Sequence, residues 1–503
     1  MPSLFEPGWG RGAPTRSRRP VLALAVMLAT AGCATFDLDP PKNNALVQPA
    51  APTVPAEAPR TTGLDKPPSN EHRRLVDMMG GEYRAPAAER YLNGVLAKLA
   101  AASELPGEAY KVTILNTPAV NAFALPSGNL YITRGLLALA NDTSEVAGVM
   151  AHEIGHVTAR HAAQRAEREK NQELISAVSS VIQNQERGKQ IRDGGKVSLA
   201  SFSREQELEA DRVGVMTIGR AGYDPYGASR FLVSLGRSTA LRASLLGQRA
   251  GDGGDLMSTH PTTPARIARS VATARQIGAP GIGDAGRDAW LGIIDGIEFG
   301  DDPTEGAIRG RRFAHARLGF DFKAPDGFVL ENTAQAVLGI AAGGAEALRL
   351  DNVRVPDATP LETYLSSGWV EGLQKTSIRP ATVNALPAAM ATAKSGDWSF
   401  RVAVIRLNAE VFRLIFAARA LSDDVDRRFI ESIESFQRLP ADEAAKLRAN
   451  RLAIVTAGSG DTLESLSARM AVADRPREHF LLLNGLENAA SVKAGERYKI
   501  VVE

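Results

Sequence analysis

Ala151-His152-Glu153-Ile154-Gly155-His156 and, downstream, Ser203-Arg204-Glu205-Gln206-Glu207-Leu208-Glu209-Ala210-Asp211 decide the reading of this 503-residue chain. Two histidines four residues apart leave one face of an α-helix, so both imidazoles can share an ion, and a glutamate one step on can reach a water bound to it. The helix is expected on independent grounds. Asp142-Thr143-Ser144-Glu145 has the form of a capping box, and Val146, Val149, Met150, Ile154 and Val157 make an apolar stripe that runs on toward Gln164. A catalytic zinc needs a third protein ligand and leaves a fourth place for water. Glu207 and Asp211, again four apart, share a helical face. Glu207 is expected on the metal and Asp211 behind a ligand histidine, fixing its tautomer. Glu209 and Glu205 are the alternatives for the third ligand, although Glu209 should point away. The expectation is one Zn2+ per chain held by His152, His156 and Glu207, with Glu153 as the catalytic base.

Two further histidines need placing among the seven. His161 lies on the opposite side of the helix from His152 and reads as structural. His260, in Ser258-Thr259-His260-Pro261, precedes a helix expected over 261–275. It is either a fourth ligand or plug at the metal, or an ordinary histidine at a helix start.

A net charge of +2 and 6% aromatic residues give no basis for a nucleic-acid partner. The single cysteine, Cys33, excludes both an internal disulfide and a cysteine-based zinc site. It follows a basic start (Arg11, Arg16, Arg18, Arg19) and a short apolar run from Val21, the pattern of an export signal over 1–32. Thr30-Ala31-Gly32-Cys33 resembles the bacterial lipobox, with Thr30 where an aliphatic residue is usual. The resemblance implies lipidation of Cys33 and, with Ala34 after it, the periplasmic side of the outer membrane. A plain cleaved signal and a retained anchor are the alternatives.

The two motifs, with the segment Asn121 to Gly135, resemble the membrane-associated zinc metallopeptidases of family M48, relatives of the CAAX prenyl protease and HtpX, over about residues 71–280. The resemblance is to the periplasmic lipoprotein-type branch. It implies metal binding at His152, His156 and Glu207, catalysis at Glu153, and quality control by endoproteolysis of misfolded or misassembled envelope proteins. Leu130-Tyr131-Ile132-Thr133 is expected as an exposed edge strand that pairs with extended substrate. Two other functions compete: a non-catalytic envelope scaffold with a structural zinc, and a metallo-hydrolase acting on cell-wall peptides.

The expected architecture is multidomain. A Pro/Ala-rich tether covers 33–70. A mostly α-helical zincin-type peptidase domain with a small β-sheet covers 71–285, including a helix and loop over 165–200 and a glycine loop at 251–254. Strands with period-2 patterning then suggest an α+β domain over 300–440, of unknown role. After a polar helical linker at 441–451, residues 450–503 resemble a LysM module in βααβ order, carried by Gly460-Asp461-Thr462, Asn484-Gly485 and the closing Tyr498 to Glu503. That resemblance implies binding of peptidoglycan. A small interaction domain without glycan contact is the alternative.

Overall fold

The computed structural model describes residues 70–165, 167, 202–246 and 260–503, except 334–335, 342, 473 and 488–491. The expected signal peptide and tether, Cys33, most of the 165–200 stretch and the expected glycine loop at 251–254 lie outside the described residues. Among the described residues no helix is long and apolar enough to cross a membrane.

Helices α1 (Asn70–Met78) and α2 (Pro86–Ala102) lead into strands β1 (Lys111–Leu115), β2 (Ala122–Ala124) and β3 (Asn129–Thr133). There follow α3 (Arg134–Leu139), α4 (Thr143–Thr158), α5 (Arg204–Arg220), α6 (Gly227–Leu246), α7 (Pro264–Ile277) and α8 (Arg287–Ile294). The sheet order is β1-β3-β2, which corrects the expectation for Leu130 to Thr133. β3 is the middle strand, parallel to β1 and antiparallel to β2, and Leu130, Tyr131 and Ile132 are fully buried. A run buried on both faces suits this central place; the outer strands are β1 and the short β2.

After β4 (Glu298–Phe299) the chain becomes β-rich rather than balanced α+β. β5 (Ala307–Arg309), β6 (Arg312–His315) and β7 (Phe320–Lys323) join β15 (Gln437–Arg438) in one sheet. β8 (Phe328–Asn332), β9 (Val337–Ala341), β10 (Glu346–Arg354), β11 (Arg379–Val383), β12 (Leu386–Ser395), β13 (Trp398–Leu407) and β14 (Glu410–Ala418) form a seven-stranded antiparallel sheet. Its helices are the short α9 (Leu361–Leu365) and α10 (Asp423–Glu434). α10 packs Phe429 and Ile433 into a core with Phe320, Phe416 and Phe436. The long hairpins of β12 to β14 pair nearly every residue, which leaves little chain for helices.

His315 lies buried in this region, and burial, reinforced by Arg317, pushes its imidazole down to about 4 from an ordinary 6.5. The folded state therefore binds fewer protons than the unfolded state between those values, and stability falls as pH drops through that window. A loss of up to about 3 kcal/mol is expected. Denaturant unfolding at pH 7 and pH 4.5 should show it, and His315→Gln should remove part of the slope.

The chain ends with α11 (Ala441–Ala444), β16 (Asn450–Thr456), α12 (Leu463–Ser467), α13 (Pro476–Leu483) and β17 (Arg497–Val502). The expected linker is mostly taken up by this short helix and the start of β16. β16 pairs with β4 as well as with β17. Leu466, Phe480, Tyr498, Ile500 and Val501 share one buried cluster with Leu92, Val146 and Trp290 of the helical region. The C-terminal unit is thus packed into the same core as α4.

Candidate active site

Asp142 caps α4 by accepting a hydrogen bond from the Glu145 N–H at 2.9 Å. Ser203 and Gln206 form a capping box on α5. The two helices cross closely because the facing positions are small. A Cβ on Gly155 would lie 3.2 Å from Ala210, and one on Gly214 would lie 3.1 Å from the His152 backbone nitrogen. With no side chain holding them apart, Glu207 of α5 lands beside the paired rings of α4.

His152, His156, Glu207 and His260 are all buried, and each offers a ligand atom within 4.8 Å of the others. His152 Nε2 is 3.0 Å from His156 Nε2 and 3.6 Å from Glu207 Oε2, and His156 Nε2 is 3.5 Å from Glu207 Oε1. A tetrahedral zinc with ligands at about 2.0–2.2 Å would hold their atoms roughly 3.3–3.6 Å apart. Glu207 is buried, and beyond the imidazoles its Oε2 faces the Arg266 guanidinium at 2.7 Å. Three imidazoles and a carboxylate converging on one point are a donor set suited to zinc.

His260, just before α7, places Nδ1 2.9 Å from Glu207 Oε1 and 3.3 Å from His152 Nε2. It therefore stands with the donors rather than apart from them. Glu153 is not in the donor group. Its Oε1 lies 3.8 Å from His260 Nε2, and the Ala124 N–H donates to its carboxylate.

Asp211 Oδ1 lies 2.9 Å from His152 Nδ1. Arg266 of α7 binds both Asp211 oxygens at 2.7 Å and also sits 2.7 Å from Glu207 Oε2. Asp211 is thus placed to hold the proton on Nδ1 and leave Nε2 free for a metal. Asp211→Asn should weaken zinc affinity by about 10- to 100-fold. Competition against a zinc chelator measures this, and an unchanged affinity would leave Asp211 without that role.

The electrostatics agree with these places. Burial pushes His156 down to about 3, so the ring is neutral and its lone pair available. Burial alone would raise Glu207, but hydrogen bonds from His156 and His260 hold it well below the ordinary carboxylate value. Burial raises Glu153, with His260 and His152 opposing, which brings its basicity nearer to that of a working base.

Arg266, His161 and Phe202 were not foreseen as parts of the site. α4 ends at Thr158, and Arg160 at φ 56 turns the chain so that buried His161 puts Nδ1 2.8 Å from His156 Nδ1. Phe202 stacks on the His156 ring at a centroid distance of 4.0 Å. Glu209 points away from the donors and reaches His161 at 3.3 Å. No local pattern marks Arg266. Its signal is burial of a cation, which only the packed structure reveals.

A His-Glu-x-x-His helix joined by a glutamate from a neighbouring helix defines the class of zinc metallopeptidases. Residues 86–274 match Peptidase family M48, and the matched segment contains His152, His156, Glu207 and His260 of the buried donor group. The chain is 35% identical to mitochondrial metalloendopeptidase OMA1 of Arabidopsis thaliana over 166 residues, 32% of this chain and 31% of that protein. It is 27% identical to beta-barrel assembly-enhancing protease of Escherichia coli over 216 residues, 41% of this chain and 42% of that protein. These matches span well under half the length of either relative.

Proposed function

We propose that the chain is a zinc-dependent endopeptidase of the bacterial cell envelope that degrades unfolded or misassembled envelope proteins. The observation that carries the reading is the convergence of His152, His156 and Glu207 beside a buried glutamate that is not itself a donor. A structural zinc has no use for that neighbour. The envelope setting rests on the export pattern before Cys33 and on the name of the Escherichia coli relative.

Zinc bound here would supply a Lewis acid for the scissile carbonyl and acidify a water. Glu153 takes the proton from that water and passes it to the leaving amine. The Ala124 N–H on its carboxylate sets the base beside β2. The end of the sheet at β2, rather than β3, is where an extended substrate backbone would pair. His260 completes a set of four protein donors, whereas catalysis needs an open place. We assign His260 as a plug that withdraws when substrate enters, which makes the described arrangement latent.

The same four-donor set favours the second reading, a scaffold with structural zinc. Cleavage of denatured casein that is abolished by 1,10-phenanthroline and restored by zinc, at one zinc per chain, is expected for the peptidase. Full zinc loading without casein cleavage would support the scaffold, and digestion of purified peptidoglycan would support a cell-wall hydrolase. The proposal is completed by a lipidated Cys33 and the tether over 33–70, an outer-membrane position, peptidoglycan contact by the unit at 450–503, and no nucleic-acid partner.

A further inference from the structure

We propose that the recess between α4 and α6 is a substrate side-chain pocket that selects an apolar residue next to the scissile bond. The inference rests on the endopeptidase reading and names a substrate preference for that site. α4 and α6 touch where a Cβ on Gly148 would come within 2.8 Å of Ala228. Beside that crossing lies a small recess of about 40 Å3, open on one side. Its hydrocarbon wall is Val149 of α4 with Phe231, Leu232 and Leu235 of α6. On α6 these recur at i, i+1 and i+4, so they share a face.

His152 and Glu153 line the same recess. A side chain seated in it therefore belongs to a residue beside the bond that Glu153 attacks through water. The charged pair at this end, Asp211 with Arg266, is already engaged with itself. An ionised substrate side chain would lose its hydration and meet only hydrocarbon on the far wall. A Leu, Met or Phe side chain would instead bury its apolar surface.

The test uses the zinc-loaded full chain and a set of peptides that differ at the residues flanking one cleavable bond, with products mapped by mass spectrometry. At one flanking position Leu, Met and Phe should exceed Ala, Asp and Lys by more than about tenfold in kcat/KM. Phe231→Ala should raise the ratio of Trp to Leu peptides, and Leu232→Phe should lower it. A folding defect scales every peptide alike, so the ratio isolates the pocket. Binding of the same peptides to zinc-loaded Glu153→Gln, followed by fluorescence anisotropy, should give the same ranking without turnover. Cleavage with no ranking, or ratios unmoved by both variants, overturns the pocket and leaves the peptidase standing. Ranked binding without any cleavage by the unaltered chain keeps the pocket and overturns the peptidase. Neither cleavage nor ranked binding overturns both.

Discussion

Glu153→Gln lowers kcat for casein or peptide cleavage by about 10²- to 10⁴-fold while one zinc per chain is retained, the range expected when a general base is removed. Glutamine keeps the shape and can still accept from Ala124, so the cavity beside His152 is preserved. It cannot take a proton from water. Glu153 is absent from the convergent donors, so its amide should leave metal affinity unchanged. Elemental analysis beside a single-turnover assay reads both quantities. Zinc lost together with activity would reassign Glu153 as a ligand, and activity retained within a few fold would remove it from catalysis.

Lys499→Met destabilises the peptidase region together with the C-terminal unit, and a chain ending at residue 449 fails to fold the peptidase region. Lys499 is fully buried in β17, and its Nζ donates to the carbonyls of Ala138, Leu139 and Ala140 at 2.8, 3.3 and 2.9 Å. Those carbonyls end α3 directly before the catalytic helix. Trp290 Nε1 also donates to Ala140 O, at 2.9 Å. Burial drives the ammonium down to about 7 and the neighbouring Glu145 carboxyl up to about 7, while each draws the other back toward its charged form. Methionine fills the space but removes the donor shared by these carbonyls, leaving side-chain support to Asn141 at Leu139 and to Trp290 at Ala140, and it leaves Arg230, 3.6 Å away, as the cation beside Glu145. Leaving a buried polar group without its partner costs about 1–3 kcal/mol, against a total stability of about 5–15 kcal/mol for an ordinary domain. Urea unfolding followed by tryptophan fluorescence measures the loss. A truncated chain that unfolds at the same urea concentration as the full chain would show that the C-terminal unit is dispensable.

Packing of this kind explains where the sequence reading stopped. The helix begun by Asp142 was legible because its cap and its apolar periodicity are written within a few residues. Neighbouring strands are not. Leu130 to Thr133 has the same pattern at a sheet's edge as at its centre, and only pairing with β1 on one side and β2 on the other makes β3 central. The polar stretch at 441–451 reads as a linker until β16 is seen paired to β4, about 150 residues earlier in the chain.

By itself the sequence determined which side chains share a face: His152 with His156, and Glu207 with Asp211, because a helix repeats every 3.6 residues wherever it lies. From that came the proposed metal donors and the proposed base. The tertiary structure alone decided that α4 and α5 cross at Gly155 and Gly214 closely enough for one ion, that Arg266 locks Asp211 and Glu207, that His260 closes the set, and that Lys499 braces the entrance to the catalytic helix. Those contacts join residues tens to hundreds of positions apart. They depend on burial and close packing, which no local run of residues encodes.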